Sequence, residues 1–292
     1  LGGDGITTPT ERTDKQTIAG ITWSYDGTPG VGTPPRFFNQ ITVQIADQMG
    51  SDFVDLARLL ALVNVGMADG AIACWYYKYE YDLWRPITGI REAAEDGNPR
   101  TSPDYDWKPT GSQASNLTGP DFTPPFPSYP SGHATFGGIV FQILRKFYNT
   151  DKIAFTLISD ELNGLTYDNY DSVTCNSVPH HCKDMVCWDG GKVQGLIKRR
   201  FSGQDNSDQC KDITLDRDCD RLRPLILRRY SSLSEAEKEN GDSRLYLGVH
   251  WSFDNTEGIT YGRKMADYIL KNSFQPVRGQ QHWGNPVSPL AR

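Results

Sequence analysis

The sequence lacks three features that mark large classes of proteins. No apolar run approaches the length of a membrane span, so we expect a soluble protein. There is no basic excess: 36 Asp and Glu against 30 Lys and Arg give a net charge of −6, which argues against nucleic acid as the main partner. Strand-like alternation is scarce and no internal repeat is evident, which favours a mainly helical chain.

Tight Cys-x-x-Cys pairs are also missing, although the chain has six cysteines. Cys74 lies among apolar and aromatic residues, and the other five share one polar stretch: Cys175, Cys182, Cys187, Cys210 and Cys219. A zinc site with His180 and His181 is one interpretation, but the irregular spacing favours disulfides that staple a surface loop. Disulfides indicate an oxidising compartment, and the glycosylation sequon Asn116-Leu-Thr118 agrees with that, so we expect a secreted protein.

Helical periodicity accounts for most of the apolar residues. It predicts helices over Phe37–Met49, Asp52–Trp84, Ser131–Tyr148, Lys152–Asn163, Ser234–Glu239, Arg244–His250 and Thr256–Asn272. Residues 1–35, 95–130 and the tail from 276 are expected to be irregular, and residues 167–220 to be a cysteine-rich loop insertion. The predicted fold is all-α: one helical-bundle domain over residues 1–292 with long loops.

The first segment with candidate chemistry lies at the end of the long predicted helix, which Pro86 closes. Lys78 and Arg85 are seven residues apart, two helical turns, so they are expected on nearly the same face. Two neighbouring cations repel each other unless an anion lies between them. The alternative is a solvated basic face with Glu80 and Asp82 as partners.

The second segment, Pro130-Ser131-Gly132-His133, opens an apolar helix. The free amide groups and partial positive charge of a helix N-terminus suit an oxyanion. Gly132 would let the anion approach the backbone, and His133 could donate to it or exchange protons with it. The alternative is that Ser131 only caps the helix and His133 is incidental.

The third segment contains Arg244, His250 and Asp254. A carboxylate four residues after His250 could hold its imidazole in one tautomer and leave the other nitrogen free to bind a metal. The alternative is a buried histidine that is hydrogen-bonded within the core. Together the three segments offer three cations, a hydroxyl, amides and two histidines, a set that matches a tetrahedral or trigonal-bipyramidal oxyanion.

These three blocks resemble the signature of the superfamily that joins vanadium haloperoxidases and type-2 phosphatidic acid phosphatases. All are complete and in order: Lys78-x6-Arg85-Pro86, Pro130-Ser131-Gly132-His133 and Ser243-Arg244-x5-His250-x3-Asp254. Similarity to the haloperoxidase branch, with its fungal chloroperoxidases and algal bromoperoxidases, extends to residues 33–40, 84–91 and 124–130. The resemblance implies a vanadate cofactor and oxidation of chloride or bromide by hydrogen peroxide to hypohalous acid, which then reaches diffusible organic acceptors.

The resemblance also implies a role for each residue of the site. His250 is expected to be the vanadium ligand and His133 the acid–base group. Lys78 is expected to polarise peroxide. The oxyanion is expected to be bound by Lys78, Arg85, Ser131, Gly132 and Arg244. Asp26 is expected to pair with Arg244, Asp254 to orient His250, and Trp75 and Phe126 to line the halide pocket. Algal bromoperoxidases often have a histidine at the place of Phe126, so this position resembles a chloroperoxidase.

Two features depart from the family pattern. The gap between His133 and Ser243 is long because of the cysteine-rich stretch, which we place outside the site. The large N-terminal helical region of the fungal proteins has no counterpart here, so we expect either a smaller relative or a piece of a longer chain, one that associates with an N-terminal portion of the same precursor or with a second copy.

Two other functions remain open at this point. An acid phosphatase would bind phosphate in the same cradle, with His250 attacking phosphorus and His133 protonating the leaving group. A non-catalytic anion-binding protein is the third interpretation. The flanking similarity, with Trp75 and Phe126, favours the haloperoxidase.

Overall fold

The computed structural model describes residues 1–5, 7–26, 32–111, 123–163 and 225–275. In these ranges the chain forms helices α1 (Asp14–Thr22), α2 (Pro34–Gln48), α3 (Phe53–Tyr81), α4 (Pro86–Arg91) and α5 (Gly132–Phe147), strands β1 (Phe155–Asn163) and β2 (Leu225–Tyr230), and helices α6 (Leu233–Tyr246) and α7 (Ser252–Asn272). The prediction of a mainly helical bundle with long loops is confirmed. The predicted cysteine-rich insertion, 167–220, lies outside the described residues, as do the sequon and the tail from 276.

Helix α5 is the centre of the bundle. Its first ten residues, 132–141, are all buried, as expected of a helix that is apolar on every side. It packs against α2, α3, α6 and α7. Two glycines allow α7 to approach closely: a Cβ on Gly138 would lie 2.6 Å from the carbonyl oxygen of Ile259, and one on Gly262 would lie 2.3 Å from that of Thr135. This close contact fixes the start of α5 relative to α7, which matters for the site described below.

The hydrophobic core fills the space between α5, α2 and α3. Ile41 and Ile45 of α2, Leu59 and Leu62 of α3, and Phe141 of α5 have no exposed surface. Each such side chain contributes about 1.5–3 kcal/mol on burial. The bundle is therefore held by apolar packing, which leaves the helix ends free to carry polar groups.

The prediction of a helix over Lys152–Asn163 is wrong. Residues 155–163 form β1, which pairs antiparallel with β2, so that Phe155 lies opposite Tyr230 and Ile158 opposite Leu227. Side chains from Phe155 to Ser159 alternate between buried and more exposed positions, a period of two that is typical of a strand. This alternation covers only five residues, and the partner strand β2 follows the cysteine-rich stretch in the sequence.

Three further boundaries differ from the prediction. Residues 14–22, expected to be irregular, form α1, which begins with a capping box between Thr13 and Gln16. The predicted helix Asp52–Trp84 ends at Tyr81, where Asp82 adopts a left-handed conformation with φ of 44°. The helices predicted separately over Ser234–Glu239 and Arg244–His250 are one helix, α6, which ends at Tyr246; the prediction is wrong for residues 247–250, where Gly248 turns the chain with φ of 73°.

One stretch, Phe53–Arg91, is long and apolar enough to cross a membrane by length and composition alone, which the sequence analysis did not expect. Here α3 packs against α2, α5 and α7, and 33% of this apolar window is buried.

Candidate functional site

The three sequence blocks meet at one set of helix ends. Lys78 lies in the last turn of α3, Arg85 is the N-cap of α4, and Ser131 is the N-cap of α5. Arg244 lies in the last turn of α6, and His250 immediately precedes Trp251, the N-cap of α7. The N-terminal ends of α5 and α7 are hydrogen-bonded to each other, since the Ser131 amide donates to the carbonyl of Asp254 at 3.1 Å. The partial positive charges of helix N-termini therefore converge with three cations.

His250 is held in one tautomer by Asp254. Its Nδ1 lies 2.8 Å from Oδ2 of this fully buried carboxylate, so Nδ1 carries the proton. Its Nε2 lies 3.1 Å from Nη1 of Arg85, which can only donate, so Nε2 accepts through its lone pair. Burial, followed by the positive charge of Arg85, lowers the pKa of His250 well below its ordinary value. The imidazole is thus neutral and has its Nε2 lone pair on the side of the cations, as a ligand requires.

Arg85 is fixed in the site by backbone carbonyls. Nε donates to the carbonyl of Phe126 at 2.9 Å, and Nη1 donates to that of Val249 at 2.7 Å. Its buried Nη2 has no hydrogen-bond partner. A buried guanidinium nitrogen without an acceptor is costly, so Nη2 is a donor that an anion would satisfy.

Arg244, Asp26 and His133 form a second charged group. Arg244 donates from Nη2 to both oxygens of Asp26, each at 3.2 Å, while its buried Nε has no partner. Nε2 of His133 lies 4.0 Å from Asp26 and 3.2 Å from the carbonyl of Ser24. A carbonyl only accepts, so Nε2 carries the proton and Nδ1 is the nitrogen left for acid–base exchange. Burial and then Arg244 lower the pKa of His133 to about 3.

Lys78 is the cation whose surroundings differ most from the expectation. Its ammonium group is fully buried and donates to the carbonyls of Pro127, Ser128 and Pro130 at 3.1, 2.9 and 2.5 Å. Three acceptors match its three protons, so a direct bond to an anion requires one of these bonds to be exchanged. Burial lowers the pKa of Lys78 to about 7. Because α3 has ended before Arg85, the two cations do not share a helical face as predicted; the loop 126–130 brings them together instead.

Trp75 and Phe126 form an aromatic wall beside the cations. Their ring centroids are 5.2 Å apart. The Phe126 ring lies 5.3 Å from Nζ of Lys78 and 5.0 Å from Cζ of Arg85, within the range of cation–π attraction. Trp75 also explains Gly132 in a way that the sequence did not suggest, since a Cβ there would lie 3.1 Å from the indole ring. The predicted pocket residues are therefore together and adjacent to the charged groups.

Ser131 acts as the predicted helix cap. Its Oγ accepts from the amide of Ala134 at 3.4 Å, and its hydroxyl proton remains available for another acceptor. The cap and the anion donor are therefore compatible roles for one side chain.

Sequence reasoning did not identify the backbone carbonyls that orient the charged residues, and it did not identify one side chain, that of Ser128. Carbonyl groups of 24, 126–128, 130 and 249 orient the charged residues, and backbone groups leave no signal in residue identity. The hydroxyl of Ser128 donates to Oδ2 of Asp254. The sequence feature that could have identified Ser128 is its position three residues before Ser131, in the flanking segment 124–130.

The donor set fits an oxyanion better than a metal cation. Two buried guanidinium nitrogens, Nη2 of Arg85 and Nε of Arg244, have no partner and would each be satisfied by an anionic oxygen. Within the described ranges, no three His, Cys, Asp or Glu side chains are grouped as a cation site would need. One histidine nitrogen among several cations suits a metal that arrives as an oxyanion.

Fold and site together define a helical-bundle protein with a buried cluster of three cations and two histidines, whose unpartnered donors fit an oxyanion. A family model described as the VCPO second helical-bundle domain matches residues 58–181 and 193–279, and the chain belongs to the vanadium haloperoxidase family. The vanadium chloroperoxidase of Curvularia inaequalis is 36% identical over 277 residues, which are 87% of this chain and 38% of that protein. The chain therefore spans about two fifths of the length of this relative.

A solved structure shares the fold. It is described as the first bacterial vanadium-dependent iodoperoxidase, and it superposes with a TM-score of 0.51 at 22% identity over 89% of this chain and 45% of the other. At this identity the likeness concerns the arrangement of helices, and it supports the helical-bundle fold.

Proposed function

We propose that the protein is a vanadate-dependent haloperoxidase that uses hydrogen peroxide to oxidise chloride and bromide to hypohalous acid. The observation that carries the proposal is the pair of buried, unpartnered donors on Arg85 and Arg244 beside the Nε2 lone pair of His250. Lys78, Arg85, Ser131, Gly132 and Arg244 would hold the oxygens of vanadate, and His250 its metal. When bound, vanadate supplies a Lewis acid that activates peroxide without a change in oxidation state.

His133 is suited to move the proton of peroxide. Without an anion, the pKa of His133 is lowered to about 3 and the ring is neutral. A bound anion would raise this pKa, and Nδ1 could then take up a proton while Nε2–H stays on the carbonyl of Ser24. Asp26 lies 4.0 Å from that ring, so its negative charge favours the protonated imidazole. The same nitrogen can then return the proton as the product leaves.

The aromatic wall supports the choice of a halide as the second substrate. Apolar surface from Trp75 and Phe126 removes water from a small anion and strengthens the field of Lys78 and Arg85 upon it. Hypohalous acid diffuses away, so no tight pocket for an organic acceptor is needed.

We also infer that the protein acts outside the cell and that its cysteines at 175–219 form disulfides. We infer further that it associates with a second copy or with an N-terminal portion of the same precursor.

For Nε2 of His250 to serve as a ligand, Arg85 would have to release one contact. Nη1 of Arg85 donates to Nε2 of His250 at 3.1 Å, and it keeps the carbonyl of Val249 at 2.7 Å. Release of the longer bond would free the lone pair without freeing the arginine.

The test is peroxide-dependent halogenation of a 1,3-diketone in bromide and in chloride, with and without orthovanadate, on the parent and on His250→Ala. We expect turnover only in the parent with vanadate. Hydrolysis of p-nitrophenyl phosphate by a protein that never halogenates would replace the proposal with a phosphatase. Absence of both activities would leave an anion-binding protein.

A further inference from the structure

Ser128 contacts residues from both sides of the anion site. Its side chain is fully buried, its hydroxyl donates to Oδ2 of Asp254, and its Oγ lies 3.4 Å from Nδ1 of His250. Its carbonyl accepts from Nζ of Lys78 at 2.9 Å, and its amide donates to the carbonyl of Leu83 at 2.7 Å, two residues before Arg85. Ser128 is thus hydrogen-bonded to the end of α3, to the segment just before Arg85 and to the first turn of α7.

We propose that Ser128 is a positioning residue that fixes the direction of the His250 ring through Asp254. Oδ2 of Asp254 accepts from three groups: the Ser128 hydroxyl, the Trp251 amide at 3.0 Å and Nδ1 of His250 at 2.8 Å. The amide and the hydroxyl approach from two separate segments of chain. They hold the carboxylate from two directions, and the carboxylate in turn sets the plane in which Nε2 of His250 meets a ligand.

The amide of Trp251 alone would not fix the carboxylate. Oδ1 of Asp254 is buried without a hydrogen-bond partner, so all contacts of the group fall on one oxygen. A carboxylate held at one atom can swing about its own bond, and the second donor from the loop 126–130 restricts that motion. The inference rests on the proposed role of His250 as the ligand, and it concerns this chain's own serine.

Two variants distinguish the effect of losing the hydrogen bond from the effect of changing the size of the side chain. Ser128→Ala removes the hydroxyl, and Ser128→Cys keeps a similar volume with a weakly donating thiol. Ser159→Ala is the matched control, because Ser159 is also buried and donates its hydroxyl to a backbone carbonyl, that of Thr22, at 2.8 Å.

The readout is equilibrium binding of orthovanadate and of inorganic phosphate, together with the imidazole N–H signal of His250 in protein labelled with ¹⁵N-histidine. Both Ser128 variants should bind vanadate about tenfold more weakly, lose phosphate affinity less, and shift or broaden the His250 signal. Ser159→Ala should change none of these, even if it melts at a lower temperature.

The proposal is overturned if Ser128→Ala and Ser128→Cys bind vanadate within twofold of the parent, or if Ser128→Cys recovers the affinity that Ser128→Ala loses. Failure of the proposed enzyme activity is a separate result, since binding and the histidine signal are measured without peroxide or halide. A parent that binds these anions but never halogenates would leave the role of Ser128 intact.

Discussion

Asp26 occupies both terminal nitrogens of Arg244, at 3.2 and 3.3 Å, and leaves Nε of that buried arginine without a hydrogen-bond partner. The pair therefore stabilises a buried positive charge while it keeps one donor for a ligand. It also places the carboxylate 4.0 Å from His133, the second ring of the site.

Removal of the Asp26 carboxylate should destabilise the protein and make its stability depend on an anion. Asp26→Ala leaves Arg244 buried without a counter-charge, a change that costs about 3–5 kcal/mol. Added phosphate should raise the melting temperature of the variant more than that of the parent, because the anion replaces the lost charge. Asp160→Ala is the control, since its pair with Arg36 is partly exposed and should be worth at most about 1 kcal/mol, and this variant should respond to phosphate only as much as the parent does. An equal response to phosphate in both variants would contradict this account of Asp26.

His133→Ala should separate binding from turnover. The cations and His250 remain, so vanadate should still bind, though more weakly. Halide oxidation should fall by roughly 100-fold or more, the usual effect of losing an acid–base group. Stopped-flow turnover at saturating vanadate measures the loss. Parent-like rates across the pH range would reduce His133 to a residue at the start of α5 with no chemical role.

The affinity for a non-titrating oxyanion should fall as pH rises through about 7. Burial lowers the pKa of Lys78 to about 7, so the anion-free protein loses this charge above that pH. A bound anion favours the ammonium form, which means that binding above pH 7 takes up a proton. Sulfate keeps its charge over pH 6–9, and calorimetry in two buffers of different ionisation enthalpy would measure the uptake. Lys78→Met should abolish the pH dependence; a dependence that persists in this variant would assign it to another group.

Phe126→His should shift the ratio of kcat/KM for chloride and bromide toward bromide. The phenyl ring contacts Trp75 and both cations, and an imidazole there would replace apolar surface and share the protons of peroxide. Phe126→Leu is the control, because it keeps an apolar wall and should leave the ratio near that of the parent. A halide competition assay on the three proteins gives the ratio. If the histidine and leucine variants behave alike, the wall does not select the halide.

The sequence predicted the contents of the site better than its geometry. The three blocks were found from residue type and spacing, and each named side chain lies where the blocks converge. The contact between His250 and Asp254 was predicted for a helix, yet His250 precedes α7 and Asp254 is in its first turn. The chain turns at Gly248, and Nδ1 of His250 reaches Oδ2 of Asp254 from outside the helix.

The fold was predictable where packing is local. Helices α2, α3 and α7 bury residues at helical spacing, and α5 is a largely apolar run that is buried over its first ten residues; both patterns are visible in the sequence. Strand β1 was not predictable in this way, because its partner β2 lies more than sixty residues away in sequence and pairing depends on that distant contact. The coordination of Lys78 by three carbonyls was equally hidden, since it depends on the path of the loop 127–130.

The most direct measurement is the affinity of His250→Ala for vanadate, compared with its affinity for sulfate. If His250 supplies the metal ligand among cations that bind only the oxygens, vanadate affinity should fall by at least about 100-fold while sulfate affinity changes little. His133→Ala, measured beside it, should lose much less vanadate affinity. Vanadate binding by His250→Ala at parent strength would contradict the assignment of the site.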